Sequence, residues 1–182
     1  RKFIEEKAEK GLDSDEYRVF VLGQPPRADA IDEKGYVPLL DETDLRWSKG
    51  DLVGKRRIMG VDPSGEGLNE TMWVVRDQYT AKIVAKEKIS NEKSIAQKTL
   101  TLMSYYAIQL QDVVIDNFGV GANVSQQLIL ASYGSEDYHG EAPTAVNVGE
   151  PSDEEDFQNK RAELYYALKQ WLRSGGELVY DD

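Results

Sequence analysis

Two short apolar runs that each end in an aspartate limit the fold of this 182-residue sequence more than any other feature. The first is Ile58–Asp62 and the second is Val113–Asp116. Apolar runs of this length, bounded by turn residues, predict buried strands. Ligands bind at the carboxyl ends of strands in open α/β sheets, so the two carboxylates mark a candidate site if the strands pair in parallel.

The chain between these runs predicts an antiparallel meander followed by a helical crossover. Residues 71–76 and 79–88 read as strands joined to the first one by tight turns. Asn91 is a suitable cap for a helix. The apolar residues of that helix recur at steps of four and three, at Ala96, Leu100, Met103, Ala107 and Leu110. A crossover over 91–111 is long enough to place the first and fourth strands side by side and parallel.

Beyond Asp116 the pattern alternates helix and strand. Gly119 and Gly121 precede a predicted helix through Val124 and Leu128, and Ala145–Val148 is a strand candidate. The last helix has a nearly ideal apolar stripe, formed by Leu164, Tyr165, Leu168, Trp171 and Leu172. We interpret Tyr165 and Trp171 as core residues. Gly175–Gly176 ends it. The fold class is therefore α/β, a mixed sheet of three antiparallel strands and then parallel strands, flanked by helices.

The first part of the chain lacks these regular patterns. Residues 1–10 are helix-prone, Tyr17–Leu22 is a β-prone run, and 24–54 reads as an extended connection rich in Asp, Gly and Pro. We therefore predict a linker or extension over 1–54 and a compact domain over 55–182.

Composition excludes several classes of function. The chain has no cysteine and one histidine, so disulfides, thiolate sites and multi-histidine zinc sites are excluded. His139 lies in a polar stretch and is interpreted as an exposed loop residue. No apolar run approaches the ~18 residues of a membrane helix. The net charge of −11 opposes tight nucleic-acid binding by charge alone.

The acidic balance leaves two interpretations open. It is a solvated surface that aids solubility, or it includes carboxylates gathered around divalent cations. Each of Asp62 and Asp116 alone is consistent with a turn or helix cap. Together, on strands that the topology makes neighbours, they predict an oxygen-only site for Mg²⁺ or Mn²⁺.

Three segments resemble the nuclease domain of the large terminase subunit of tailed bacteriophages. They are Gly60–Gly65 with the strand that follows, Val114–Gly121, and Phe157–Glu163. The resemblance covers roughly residues 14–180. It implies a ribonuclease H-like fold and a metal-dependent endonuclease that cuts concatemeric double-stranded viral DNA during head filling.

The resemblance also implies roles for particular residues. Asp62 and Asp116 match the first two metal ligands of a two-metal phosphodiester hydrolase, whose ions lie about 3.5–4 Å apart. The third carboxylate is expected beyond Asp182, with Asp181 or Asp182 as substitutes within this sequence. Asn69 departs from the family, in which many relatives place an additional acid there. Lys160 and Arg161 either contact the DNA backbone or form a solvated helix start.

The implied setting is a viral packaging motor in the cytoplasm of the host cell. The partners would be double-stranded DNA, the portal protein, the small terminase subunit and an ATPase domain upstream in the same chain, with no membrane. The sequence itself has no Gly-Lys-Ser/Thr phosphate loop. Two alternatives remain: a portal-docking or motor-regulating module without cleavage of its own, and another ribonuclease H-like phosphotransferase.

Overall fold

The computed structural model describes residues 2–32, 34–35, 37–65, 69–133 and 140–179. Predictions on Gly67, His139, Asp181 and Asp182 lie outside these residues. The helices and strands are, in chain order, α1 (Lys2–Glu9), α2 (Asp15–Phe20), β1 (Trp47–Ser48), β2 (Ile58–Asp62), β3 (Thr71–Arg76), β4 (Thr80–Glu87), α3 (Glu92–Tyr106), β5 (Val113–Asp116), α4 (Val120–Ser132), β6 (Thr144–Val146), α5 (Lys160–Arg173) and β7 (Glu177–Val179). Within these ranges no helix combines the length and hydrophobicity that crossing a bilayer requires.

The chain divides into two compact units. One unit comprises Arg1–Arg46 and Leu164–Gly175, and the other comprises Trp47–Glu163 and Gly176–Asp182. The second unit contains every strand of the described chain. The role of 1–54 as an extension from an ATPase domain stays a prediction.

The second unit is built on a mixed sheet in the order β1-β7-β4-β3-β2-β5-β6. Strands β2, β3 and β4 form an antiparallel meander. Strand β5 pairs in parallel with β2 on one side and with β6 on the other, and β7 pairs in parallel with β4. The predicted fold class is confirmed, as is the parallel pairing of β2 with β5.

One face of this sheet forms the hydrophobic core. Alternate strand residues point to it, and helices α3 and α4 supply its other members. The fully buried side chains of this core are Met59, Trp73, Val75, Ile95, Val113, Ile115, Val124 and Leu128. Trp73 Nε1 donates a 2.9 Å hydrogen bond to Thr99 Oγ1, which donates in turn to the Ile95 carbonyl. The buried indole N–H is therefore satisfied inside the core.

Helix α3 begins as predicted but ends earlier. The Asn91 side chain accepts hydrogen bonds from the backbone N–H groups of Lys93 and Ser94, which caps the helix. Ala107 adopts a left-handed conformation with φ of 53° and terminates it. Leu110 is buried, but in the 3₁₀ turn that follows rather than on the helix.

The β-prone interpretation of Tyr17–Leu22 is wrong, because residues 15–20 form helix α2. Ser14 Oγ accepts a hydrogen bond from the Tyr17 N–H, and Asp15 and Glu16 lie in the first turn, where acidic side chains complement the helix dipole. Local capping thus outweighs the β propensity of the apolar residues.

The interpretation of Tyr165 as a core residue of α5 is wrong, and Trp171 is not fully buried. Leu164 is 42% and Tyr165 51% exposed, whereas Leu172 is buried and Trp171 is partly buried. The last turn of the helix is held instead by Arg173, whose Nε donates a 2.7 Å hydrogen bond to the buried carboxylate of Asp44. Strands β1 and β7 were not predicted, since each has only two or three residues and little periodicity to detect.

A buried carboxylate ties the segment before β2 to the β3–β4 turn. Asp77 accepts hydrogen bonds from the N–H of Gly54 on Oδ2, and from the N–H groups of Tyr79 and Thr80 and the Thr80 hydroxyl on Oδ1. Burial alone would raise the pKa of Asp77, but these hydrogen bonds outweigh it and lower the pKa to about 2. A Cβ at Gly54 would lie 2.7 Å from that of Asp77, so this approach requires glycine.

The Asp77 anchor predicts a defined acid sensitivity. A carboxyl whose pKa falls from 3.8 to about 2 on folding stabilises the fold above pH 3.8 and loses that contribution as the pH falls towards 2. Asp77→Asn should lower the free energy of unfolding by roughly 2 kcal/mol at neutral pH, measured by urea denaturation. The difference in free energy of unfolding between this variant and the unaltered chain should shrink as the pH falls towards 2. A difference that stays constant with pH would contradict the assignment, and Asp153→Asn, at an exposed position, is the control.

Candidate metal centre

The structure brings Asp62 and Asp116 together at one edge of the sheet. In the parallel ladder of β2 and β5, Val61 pairs with Ile115. Asp62 and Asp116 are the next residues of the two strands, so they lie side by side. Neighbouring strands lie about 4.8 Å apart. The alternation of buried and less buried residues along both strands places the two carboxylates on the face opposite the core.

The electrostatics of the pair agree with this placement. Partial burial raises the pKa of Asp62, and the negative charge of Asp116 raises it further. Two like charges held close together disfavour ionisation, whereas a shared divalent cation favours it. The oxygen-only donors therefore fit a hard cation such as Mg²⁺ or Mn²⁺.

Asp116 also has the capping role that the sequence left open, but only one of its two carboxylate oxygens is engaged in it. Its Oδ1 accepts a 3.1 Å hydrogen bond from the backbone N–H of Phe118, which closes a turn after β5. Within the described residues, Asp62 makes no side-chain hydrogen bond. The cap orients Asp116 while three lone-pair positions on its carboxylate remain.

Two glycines fix the backbone that carries Asp116. Gly119 precedes α4 with φ of 61°, a conformation that L side chains rarely adopt. A Cβ on Gly121 would lie 1.7 Å from the Asp116 carbonyl oxygen, so α4 begins in direct contact with the end of β5. Sequence reasoning placed both glycines before a helix but did not identify Gly121 as a support for Asp116.

The turn after Asp62 is fixed by buried hydroxyl groups. The Ser64 N–H donates a 3.0 Å hydrogen bond to Thr71 Oγ1. The hydroxyls of Ser64 and Thr71 both donate to the carbonyl of Ile89, at 3.2 Å and 2.7 Å. The chain leaving β2 is thereby attached to the start of β3 and to the segment after β4.

An open groove of about 520 Å³ lies beside Asp62. Among the described residues its lining is Asp62, Pro63, Ser64, Gly65, Asn69, Glu70, Met72 and Lys86. Lys86 Nζ lies 3.3 Å from Glu70 Oε2. Sequence reasoning did not identify either residue as part of the site. The signal for Lys86 is the register of the meander, which aligns Met72 with Asp62 and with Lys86.

The structure does not test the roles predicted for the third metal ligand, Lys160 and Arg161. The ranges that the structure describes contain no cluster of three or more Asp, Glu, His or Cys side chains suited to a metal ion. A third ligand at Asp181 or Asp182, or beyond, stays a prediction. Lys160 Nζ is ion-paired with Asp153 at 2.5 Å and with Glu163 at 2.8 Å, and these contacts raise the pKa of Lys160. Arg161 is exposed. DNA contact by either residue stays a prediction.

Comparison with solved structures identifies the fold. The nuclease domain of the large terminase subunit gp2 of bacterial virus Sf6 matches with a TM-score of 0.55 and 23% identity, over 67% of this chain and 56% of that one. A point mutant of the bacteriophage Sf6 large terminase fragment with calcium gives the same values. A mutant nuclease domain with manganese and beta-thujaplicinol gives a TM-score of 0.50 and 21% identity, over 70% of this chain and 64% of that one.

These matches establish the fold of the chain. The mixed sheet flanked by helices is the ribonuclease H-like fold of terminase nuclease domains, which confirms the resemblance at the level of structure. The chain spans less than two thirds of the length of these solved domains. No protein-family model matches the chain, and no curated protein matches it in sequence.

The close approach at Gly121 predicts a large effect of a single methyl group. Gly121→Ala should separate α4 from the end of β5 and lower the free energy of unfolding by about 3 kcal/mol, the range of severe packing defects. Thermal unfolding followed by circular dichroism measures this. Gly65→Ala is the matched control, because no described residue lies within 4 Å of a Cβ there and its φ lies outside the left-handed region. Equal melting temperatures for the two variants would contradict the close approach.

The repulsion at Asp62 predicts a stability gain when its charge is removed. Because folding raises its pKa, the ionised side chain destabilises the fold above its ordinary pKa of 3.8 and not below it. Asp62→Asn should therefore raise the melting temperature near neutral pH in a chelator, and not in acid. Mn²⁺ should stabilise the unaltered chain and not the variant. A lower melting temperature for Asp62→Asn in chelator would contradict this account.

Proposed function

We propose that this chain contains the metal-dependent endonuclease domain of a viral genome-packaging terminase, which cuts concatemeric double-stranded DNA during head filling. The observation that carries the proposal is the pair of carboxylates at the ends of adjacent parallel strands, Asp62 and Asp116, in a fold shared with terminase nuclease domains. The calcium and manganese in the matched structures belong to those proteins and support a divalent cation here.

Asp62 and Asp116 are the residues that would hold Mg²⁺ or Mn²⁺. A bound divalent ion supplies Lewis-acid chemistry, which activates water for attack on a phosphodiester and neutralises charge on the leaving oxygen. A third carboxylate, at Asp181 or later, would complete the ligand set that Asp62 and Asp116 begin. Histidine is not required as a general base in this scheme.

The surrounding residues hold the carboxylates in position before substrate arrives. The Phe118 N–H and the Gly121 contact fix Asp116, and the Ser64–Thr71 hydrogen bonds fix the turn after Asp62. Ligands that are already oriented bind a cation without a further cost in conformational entropy. The open groove beside Asp62 leaves a phosphate room to approach.

The proposed setting extends beyond this chain. Residues 1–54 would link the nuclease domain, 55–182, to an upstream ATPase domain. In the host cytoplasm the assembled terminase would include the portal protein and a small subunit, and Lys160 and Arg161 would meet the DNA backbone. These roles are proposed by analogy with terminases, whose nuclease domains share the ribonuclease H-like fold.

Cleavage of supercoiled plasmid in Mn²⁺ tests the proposal. The unaltered chain should nick the plasmid, and Asp62→Asn or Asp116→Asn should reduce the rate at least ~100-fold, as expected when a metal ligand is lost. Gel electrophoresis of the nicked and linear products measures the rate. Glu87→Gln is the control, because Glu87 is a carboxylate of β4 that pairs with Lys98 rather than lining the groove.

Undiminished nicking by Asp62→Asn would exclude the catalytic assignment. Absence of nicking by the unaltered chain, with Mn²⁺ still bound, would favour the portal-docking alternative. Binding of ATP in place of DNA would favour another ribonuclease H-like phosphotransferase.

A further inference from the structure

We propose that Lys86 binds a backbone phosphate of the DNA beside the cleaved bond, and that Glu70 competes with the DNA for Lys86. This inference rests on the proposed nuclease function and assigns to it a substrate-positioning residue. Neither residue belongs to the predicted metal-ligand set.

The charge of the groove is the first argument. Phosphodiester DNA is a polyanion, and the chain carries a net charge of −11. The described groove lining contains two carboxylates, Asp62 and Glu70, and a single cation, Lys86. A cation at the metal centre offsets the charge of the phosphate over Asp62, whereas the neighbouring phosphates need a positive side chain. Lys86 is the groove residue that supplies one.

The sheet register is the second argument. Asp62 pairs with Met72, and Met72 pairs with Lys86, so the three lie in one row across the strands and on one face. Two strand spacings separate the backbones of Asp62 and Lys86, about 10 Å, which is on the scale of a few nucleotide steps of about 3.4 Å. Lys86 therefore meets a phosphate near the one at Asp62 rather than that phosphate itself.

The contact with Glu70 is the third argument. The Lys86 and Glu70 side chains are 57% and 42% exposed, and such ion pairs contribute little to stability. A phosphate offers several charged oxygens and displaces a single exposed carboxylate from an ammonium group at little cost. In the free protein Glu70 thus occupies the position that the DNA backbone takes.

Lys98 and Glu87 provide a matched control for this pair. Glu87 follows Lys86 in β4, so its side chain points to the other face of the sheet, where it forms an ion pair with Lys98 of α3. The two glutamates are almost equally exposed, at 40% for Glu87 and 42% for Glu70, whereas Lys98, at 34%, is less exposed than Lys86, at 57%. A lysine and a glutamate can therefore each be neutralised on either face of the sheet, in the same protein.

Binding of a fluorescent DNA duplex of random sequence, measured by anisotropy in Ca²⁺ at several salt concentrations, tests the inference. Lys86→Gln should weaken binding roughly tenfold and reduce the magnitude of the salt slope by about one. Glu70→Gln should tighten binding, because Lys86 loses its competitor. Lys86→Arg should restore the affinity, and Lys98→Gln and Glu87→Gln should leave it unchanged.

Three results would overturn the inference. If Lys86→Gln binds the duplex as tightly as Lys98→Gln while the unaltered chain still nicks plasmid, the nuclease proposal survives and this one does not. Loss of Mn²⁺ binding and nicking in Glu70→Gln would make Glu70 a metal ligand instead. Failure of the unaltered chain both to bind the duplex and to nick plasmid would remove the two proposals together. Circular dichroism of each variant confirms that it is folded.

Discussion

The parallel pairing of β2 with β5 is the interaction on which the rest of the site depends. Strand β2 is antiparallel to β3 on its other side, so it is the point where the sheet changes from a meander to parallel strands. Only a parallel neighbour ends at the same edge, and this is why Asp62 and Asp116 meet although 53 residues separate them in the chain. The helical crossover through α3 makes that pairing possible.

The two faces of the sheet affect the stability of the fold in opposite ways. On the core face, Met59, Trp73 and Ile115 are fully buried, and their packing stabilises the fold. On the other face, partial burial of Asp62 and the charge of Asp116 raise the pKa of Asp62, so the ionised pair is unfavourable to the fold. The chain thus combines a well-packed side with a side that is electrostatically unfavourable in the free protein, a combination common at functional sites.

The sequence predicts the elements whose signal is local and repeated, and it fails where a distant contact decides. The apolar strands and their terminal aspartates are such signals, as is the Asn91 cap of α3. The helix at residues 15–20 was missed because β propensity was given more weight than the Ser14 cap. The Lys86–Glu70 pair and the role of Gly121 depend on strand register and on the angle of α4, which no short window of residues encodes.

The attachment of Ser64 and Thr71 to the Ile89 carbonyl has a mechanical consequence. It joins the loop beyond Asp62 to the far end of the β3–β4 hairpin, close in sequence to Lys86. We therefore expect the turn after Asp62 to follow any displacement of this hairpin, together with Lys86, which would preserve the width of the groove between them.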